Sequence, residues 1–253
     1  FDLAALTPLK KGDVEADTSG IKGGFEKFVY LHSGRRLILK TDSGSMDRQW
    51  VYNEYLSNQL AAILDVPVPR FGLAMVSGRP AFMSENFMQD LGPVTLIPAA
   101  NYIKDWNLEA IIHFFTLRVN EDKDLSAFIK MCLFDAIIGN TDRHGYNISF
   151  IKSVDELVLA PCYDNVSTIC ARQDGLDEIS NPAIGCKIKT KTKLFPNLGD
   201  YLKEFKRLGL AEMSEPIMAS FKDKRKTLLE KIDQLLLPVE YKLLFANRIK
   251  RYL

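Results

Sequence analysis

Three residues near the middle of the chain could carry out phosphoryl chemistry together. Asp142 and Asn147 lie in Gly139-Asn-Thr-Asp-Arg-His-Gly-Tyr-Asn147, and Asp164 follows in Ala160-Pro-Cys-Tyr-Asp164-Asn. One carboxylate can orient an attacking hydroxyl and accept its proton. An amide oxygen and a second carboxylate offer the hard oxygen ligands that Mg²⁺ takes beside nucleotide phosphates. Singly, each is also an ordinary turn residue, because Asp and Asn side chains close turns on their own backbone. The three placed on a helix, a loop, a hairpin and a second loop make phosphoryl transfer the stronger reading.

Elements must hold these side chains in place. Leu125, Phe128, Ile129, Cys132, Leu133, Ala136 and Ile137 recur at helical spacing. Met131, Phe134 and Ile138 make the other side apolar too, which predicts a buried helix stopped by Gly139. Strands are expected at Asn147–Ile151 and Leu157–Ala160, around a turn at Asp155-Glu156. Upstream, Phe25–Leu31 and Arg36–Lys40 form a hairpin through Ser33-Gly34. A helix over Asp47–Leu64, capped by Asp47, carries Tyr52, Tyr55, Leu56, Leu60 and Ile63 as an apolar stripe. Strands Phe71–Val76 and Arg79–Ser84 flank Ser77-Gly78. The expected class is α+β: residues 1–86 a small antiparallel sheet with one helix, residues 87–253 mainly helical. Amphipathic helices over Glu215–Leu236 and Val239–Tyr252 close the chain.

The first part offers complements to the loop. Lys40 ends a strand and could neutralise phosphates, and Glu54 on the next helix could pair with it. The segment Thr18-Ser-Gly-Ile-Lys-Gly-Gly24 could bring backbone amides to phosphates. Taken alone, Lys40 also reads as an exposed edge-strand lysine and Glu54 as half of a surface salt bridge. No G-x-x-x-x-G-K-[ST] occurs, which argues against a P-loop NTPase.

The residues Asn140-Thr-Asp-Arg-His-Gly-Tyr-Asn147 and Leu159-Ala-Pro-Cys-Tyr-Asp164 resemble the HipA-like kinases, bacterial Ser/Thr protein kinases of two lobes that include toxin kinases and short secreted kinases. The resemblance runs from about Ser19 to Leu210, with Ile184-Gly-Cys-Lys187 and Leu208-Gly-Leu210 as weaker signatures. It implies a protein-kinase-like fold, a β-rich N-lobe and a helical C-lobe, using ATP and Mg²⁺. Asp142 would be the catalytic base, Asn147 and Asp164 the Mg²⁺ ligands, and Arg143 and His144 supports of their loop. Ser19, Gly20, Gly23 and Gly24 would form the glycine loop, Lys40 the nucleotide lysine, and backbone groups near Glu85 and Phe87 the adenine contacts. Thr18 and Ser19 approximate a family autophosphorylation site, where added phosphate would compete beside Lys40. The N-terminal subdomain of larger members is not expected here. Implied partners are a protein substrate with a Ser or Thr acceptor and an antitoxin or regulatory protein, in the bacterial cytoplasm or, for a secreted effector, the host's.

Composition narrows the rivals. The chain has 253 residues, 47% hydrophobic and 26% charged, with a net charge of +1, which excludes a disordered chain. No apolar run approaches the roughly 18 residues of a membrane span. Three histidines without ligand spacing disfavour zinc, and Cys132, Cys162, Cys170 and Cys186 lack a CxxC pair and read as buried thiols. Residues 187–253 hold 16 Lys and Arg against 8 Asp and Glu. This basic stretch lacks interleaved aromatics in a recognised nucleic-acid-binding fold, and the overall charge is near zero, so no nucleic-acid partner is expected. Lys187, Lys189, Lys191 and Lys193 repeat with period two, which predicts four lysines on one strand face. That face motivates the main alternative, a phosphoinositide or other small-molecule kinase. A non-catalytic nucleotide-binding pseudokinase is a third reading, opposed by the complete set Lys40, Asp142, Asn147 and Asp164.

Overall fold

The computed structural model describes residues 9, 14–16, 25–42, 49–119, 122–168, 185–235, 237 and 239–253. The predicted glycine loop Thr18–Gly24, the cap Asp47 and Cys170 lie outside the described residues.

Strands β1 (Glu15–Ala16), β2 (Phe25–His32), β3 (Arg35–Asp42), β4 (Phe71–Val76) and β5 (Arg79–Glu85) form an antiparallel sheet in the order β1-β2-β3-β5-β4. Two Ser-Gly pairs set its register. Ser33 and Gly34, and Ser77 and Gly78, all adopt positive φ. Two successive positive φ values give the turn whose twist matches a hairpin's strands. Leu37, Leu39, Ala81 and Met83 are fully buried beneath this sheet.

Helix α1 (Gln49–Ile63) follows β3. Its stripe residues Leu56 and Leu60, with Leu64 beyond its end, join the larger core, which is built around later helices. The stripe accounts for only part of what α1 buries. Asn53, Glu54, Ser57 and Asn58 are buried as well, and each has hydrogen-bond partners. A buried polar face is tolerated only when its groups are satisfied, and here the partners belong to the site.

A second sheet, β6-β7-β8, comprises Thr95–Pro98, Ser149–Lys152 and Leu157–Leu159. Helix α2 (Leu108–Arg118), capped by the Asn107 side chain, leads to α3 (Asp122–Ile138). α3 is buried on almost all sides and ends at Gly139 with φ 77°. Arg248 covers its last carbonyls, donating to Ile137 O at 2.6 Å and Ala136 O at 2.8 Å. Those groups have no partner within the helix.

The C-terminal helices differ from expectation. α4 (Leu198–Arg207), with a capping box of Asn197 and Asp200, was not foreseen. The expected helix Glu215–Leu236 is two: α5 (Ala211–Asp223) and α6 (Arg225–Gln234), separated at Lys224. α5 begins before Pro216, with Ser214 N–H donating to Leu210 O at 2.9 Å. The break lets Leu228 and Ile232 face the core alongside Phe221. α7 (Val239–Tyr252) closes the chain. The four-lysine strand face is also corrected. Lys187 lies in a bend and Lys189 makes a single bridge to Asn107, both outside either sheet, and Lys191 and Lys193 lie in or beside a turn.

Candidate active site

Lys40 occupies a central strand, with β2 on one side and β5 on the other, so it is no edge lysine. Its side chain is 14% exposed, and its Nζ lies 2.7 Å from Glu54 Oε1 and also pairs with Asp164. Burial alone would lower the ammonium pKa, but Glu54 and Asp164 outweigh it and hold the pKa above its ordinary value. Burial likewise works to raise the Asp164 pKa, and Lys40 more than reverses it, leaving the carboxyl below its ordinary value. Both groups are therefore charged at neutral pH. Asp164 itself has φ 52°, a conformation that Asp tolerates better than most residues. Glu54 belongs to the buried polar face of α1 and is not a surface salt-bridge residue.

Reciprocal amide bonds lock α1 in this position. Asn53 Nδ2 donates to Ser167 O at 2.7 Å, and Ser167 N–H donates to Asn53 Oδ1 at 2.9 Å. Asn165 Nδ2 donates to Asn58 Oδ1 at 3.1 Å. The segment after Asp164 is thus tied to the helix that carries Glu54.

Arg143 organises the other half of the site from a fully buried position. Its Nε donates to Asp135 Oδ2 at 2.7 Å and its Nη2 to Asp135 Oδ1 at 3.0 Å. Nη2 also donates to Asn165 Oδ1 at 2.7 Å. Nη1 donates to Asn147 O at 3.2 Å and to Tyr163 O at 2.7 Å. One nitrogen therefore holds together the backbone of Asn147 and that of the residue before Asp164. Burial opposes the guanidinium charge, and Asp135 more than restores it.

Asp142 projects from this scaffold as an exposed side chain. Its N–H donates to Asn140 Oδ1 at 3.0 Å, and Asn140 Nδ2 donates to Asp135 Oδ1 at 2.9 Å. Asn147 Nδ2 donates to Asp142 O at 3.0 Å. His144 turns the loop, its carbonyl accepting from Asn147 N–H at 2.9 Å and its Nδ1 from Tyr146 N–H at 3.2 Å. Asp142 Oδ1 pairs with Lys187, a contact that sequence spacing did not reveal.

Gly145 packs against Ala100, and a Cβ there would lie 2.9 Å from Ala100 Cβ and 3.1 Å from its backbone. Ala100 N–H also donates to Gly145 O at 2.9 Å. Gly145→Ala is expected to cost about 1–3 kcal/mol, as overpacking does, and to displace Asp142 from Asn147. Urea unfolding checks the first effect.

Of the two residues expected beside an adenine, Glu85 donates its N–H to Arg70 O at 2.8 Å, and its carboxylate pairs with Arg35. The Phe87 ring stacks on Tyr163, with centroids 6.4 Å apart, and so reaches the segment that carries Asp164.

The thiols beside the site are buried. Burial pushes Cys162 and Cys186 up to about 12, and Cys162 Sγ donates to Asn165 Oδ1 at 2.8 Å. A native pKa raised above the unfolded value of about 8.5 contributes stability that is complete below that pH. This contribution is lost as pH rises toward the native value. Both thiols are expected to resist iodoacetamide at pH 8 in the folded protein and to react in urea, with stability declining above about pH 9.

Among the described residues, no three His, Cys, Asp or Glu side chains group as metal ligands. The donors that fit Mg²⁺ are two: Asn147, whose amide nitrogen is occupied and whose Oδ1 has no donor among the described residues, and Asp164, which gives one oxygen to Lys40. Two protein oxygens suit an ion that keeps waters and phosphate oxygens as its other ligands.

Residues 19–234 match the HipA-like C-terminal domain. The chain belongs to that family. Its α+β fold matches two solved structures. One is a Helicobacter pylori proinflammatory kinase, CtkA, with TM-score 0.75 and 16% identity over 97% of this chain and 94% of that one. The other is HipA of Shewanella oneidensis MR-1, solved with HipB and operator DNA, with TM-score 0.64 and 16% identity over 92% of this chain and 65% of that one. No curated protein matches. No helix among the described residues is long and apolar enough to cross a membrane.

Proposed function

We propose that this HipA-like chain is an ATP- and Mg²⁺-dependent Ser/Thr protein kinase. The observation that carries the reading is the convergence of Lys40, Glu54 and Asp164 on one side and Asp142 and Asn147 on the other, joined through Arg143. Lys40 offers a charged donor to nucleotide phosphates, oriented by Glu54. Asn147 and Asp164 would hold Mg²⁺, which when bound offsets phosphate charge. Among the described residues Lys187 pairs with Oδ1 of Asp142 and none pairs with Oδ2, which is the oxygen offered to the acceptor.

In the transfer, the substrate hydroxyl gives its proton to Asp142 and its oxygen bonds to the γ-phosphorus. The bond to the β–γ bridging oxygen breaks, and ADP leaves with that electron pair. By likeness to the HipA–HipB assembly, an antitoxin or regulatory partner belongs to the proposal. Autophosphorylation at Thr18 or Ser19 belongs to it too, through the competition with nucleotide phosphates described above.

The test offers γ-labelled ATP and Mg²⁺ with a generic protein and phosphoinositide vesicles side by side. Label is expected on protein serine or threonine, on the chain itself or on the added protein. Label confined to lipid assigns the chain to lipid phosphorylation, and no transfer leaves only nucleotide binding.

A further inference from the structure

We propose that the loop from Gly185 to Pro196 is the platform on which the acceptor polypeptide docks, and that it selects substrate segments with acidic side chains beside the acceptor hydroxyl. The proposal rests on the protein-kinase reading and names its substrate class.

The loop is held along its whole length. At its base, Cys186 N–H donates to Pro196 O at 2.9 Å, and Gly185 lies so close to Phe195 that a Cβ would fall 1.9 Å from the Phe195 carbonyl oxygen. At its tip, Thr190 N–H donates to Lys193 O at 2.9 Å, and Lys193 N–H to Thr190 Oγ1 at 3.1 Å. Between them, Lys189 O accepts from Leu108 N–H at 2.8 Å, Ile188 O from Tyr201 Oη at 3.0 Å, and Glu204 Oε1 from Lys191 N–H at 3.0 Å. Cys186, Ile188 and Thr190 point inward and are buried. The alternation therefore turns Lys187, Lys189 and Lys191 outward, and the turn exposes Lys193. A flexible solvated tail would need none of these anchors.

The segment from Gly185 to Pro196 contains four lysines and no acidic residue. Among the described residues Lys187 pairs with Asp142 and Lys191 lies beside Glu204, while Lys189 and Lys193 have no carboxylate partner and no ammonium other than that of Lys187 forms an ion pair in this loop. Their charge is thus presented to a ligand. Its position is set by Lys187, which touches the carboxylate where the acceptor hydroxyl must arrive. Lys189 follows two residues on, exposed on the same outward side and anchored through its carbonyl on Leu108 N–H. Leu194 and Phe195, each 64% exposed, and Tyr146, 67% exposed on the Asp142 loop, add apolar surface. Apolar side chains beside a lysine row suit a polypeptide with mixed side chains better than a bare phosphate.

The experiment uses the full chain and two fluorescein-labelled peptides with a single serine. One has aspartate at alternate flanking positions and the other has asparagine there. Anisotropy without nucleotide reads binding, and incubation with Mg²⁺ and ATP reads transfer. The acidic peptide is expected to bind about tenfold tighter, the combined effect of a few exposed ion pairs, with the preference weakening in salt. The triple variant K189Q/K191Q/K193Q is expected to lose that preference while keeping its Tm and its transfer to the neutral peptide. Equal affinity for the two peptides, or a preference that survives in the triple variant, overturns the assignment. So does lysine-dependent capture of phosphatidylserine vesicles with no peptide preference, which would make the loop a membrane contact. Lysine-dependent peptide binding without transfer keeps the platform and removes the kinase reading. Transfer indifferent to peptide charge does the reverse.

Discussion

Asp142→Asn is expected to lower phosphate transfer by about 10²–10⁴-fold, the usual effect of removing a positioned proton acceptor. That corresponds to about 3–5 kcal/mol of barrier. The fold should not notice. The Asp142 side chain is exposed, and what orients the residue is its backbone N–H on Asn140 and its carbonyl on Asn147. An asparagine keeps both bonds. The pair with Lys187 is lost, but an exposed pair of this kind contributes little to stability. Transfer kinetics and thermal melting of the purified variant check both halves. An unchanged rate, or a variant that fails to fold, would make Asp142 a turn residue.

Arg143→Met is expected to have the largest effect on stability, about 3–5 kcal/mol, the usual result of breaking a buried ion pair from one side. Asp135 would keep Asn140 but lose two guanidinium bonds inside a buried helix. Asn147 O and Tyr163 O would lose their shared donor, so any folded fraction should also transfer phosphate poorly. The double variant Arg143→Met/Asp135→Leu separates the two effects. It removes the stranded charge and should recover part of the urea stability while leaving activity low. Recovery of both would reduce Arg143 to a structural ion pair with no bearing on the site.

The parts of the site that could be read in the sequence are those carried within short stretches. The Asp142–Asn147 spacing, the hairpin that follows and the two Ser-Gly turns depend on neighbours in the chain, and the fold places them as their patterns indicate. The contacts that bind these stretches together are long-range and left fainter marks. Asp135 sits in the middle of an otherwise apolar helix face, and a lone carboxylate in such a run is itself a sign of a buried cation nearby. Asn53, Glu54, Ser57 and Asn58 form a polar face on α1 that periodicity assigns to solvent. The fold buries it instead, because the segment after Asp164 supplies its partners. The lysine alternation was legible but its setting was not. Thr190 and Lys193 close a turn where a continuing strand was expected, and α2 and α4 supply the anchors in place of a sheet neighbour. The helix break at Lys224 follows from packing and has no glycine or proline at that position to announce it.

The account stands on Lys40, Asn147 and Asp164 forming one site for a nucleotide and its Mg²⁺. Calorimetric titration of ATP into the full chain, with Mg²⁺ and then with EDTA, tests this most directly when repeated on Asp164→Asn and Lys40→Met. The predicted result is Mg²⁺-dependent binding to the wild type, with the metal dependence lost in Asp164→Asn and affinity reduced in Lys40→Met. Binding of equal strength in EDTA, or indifferent to both substitutions, would contradict it.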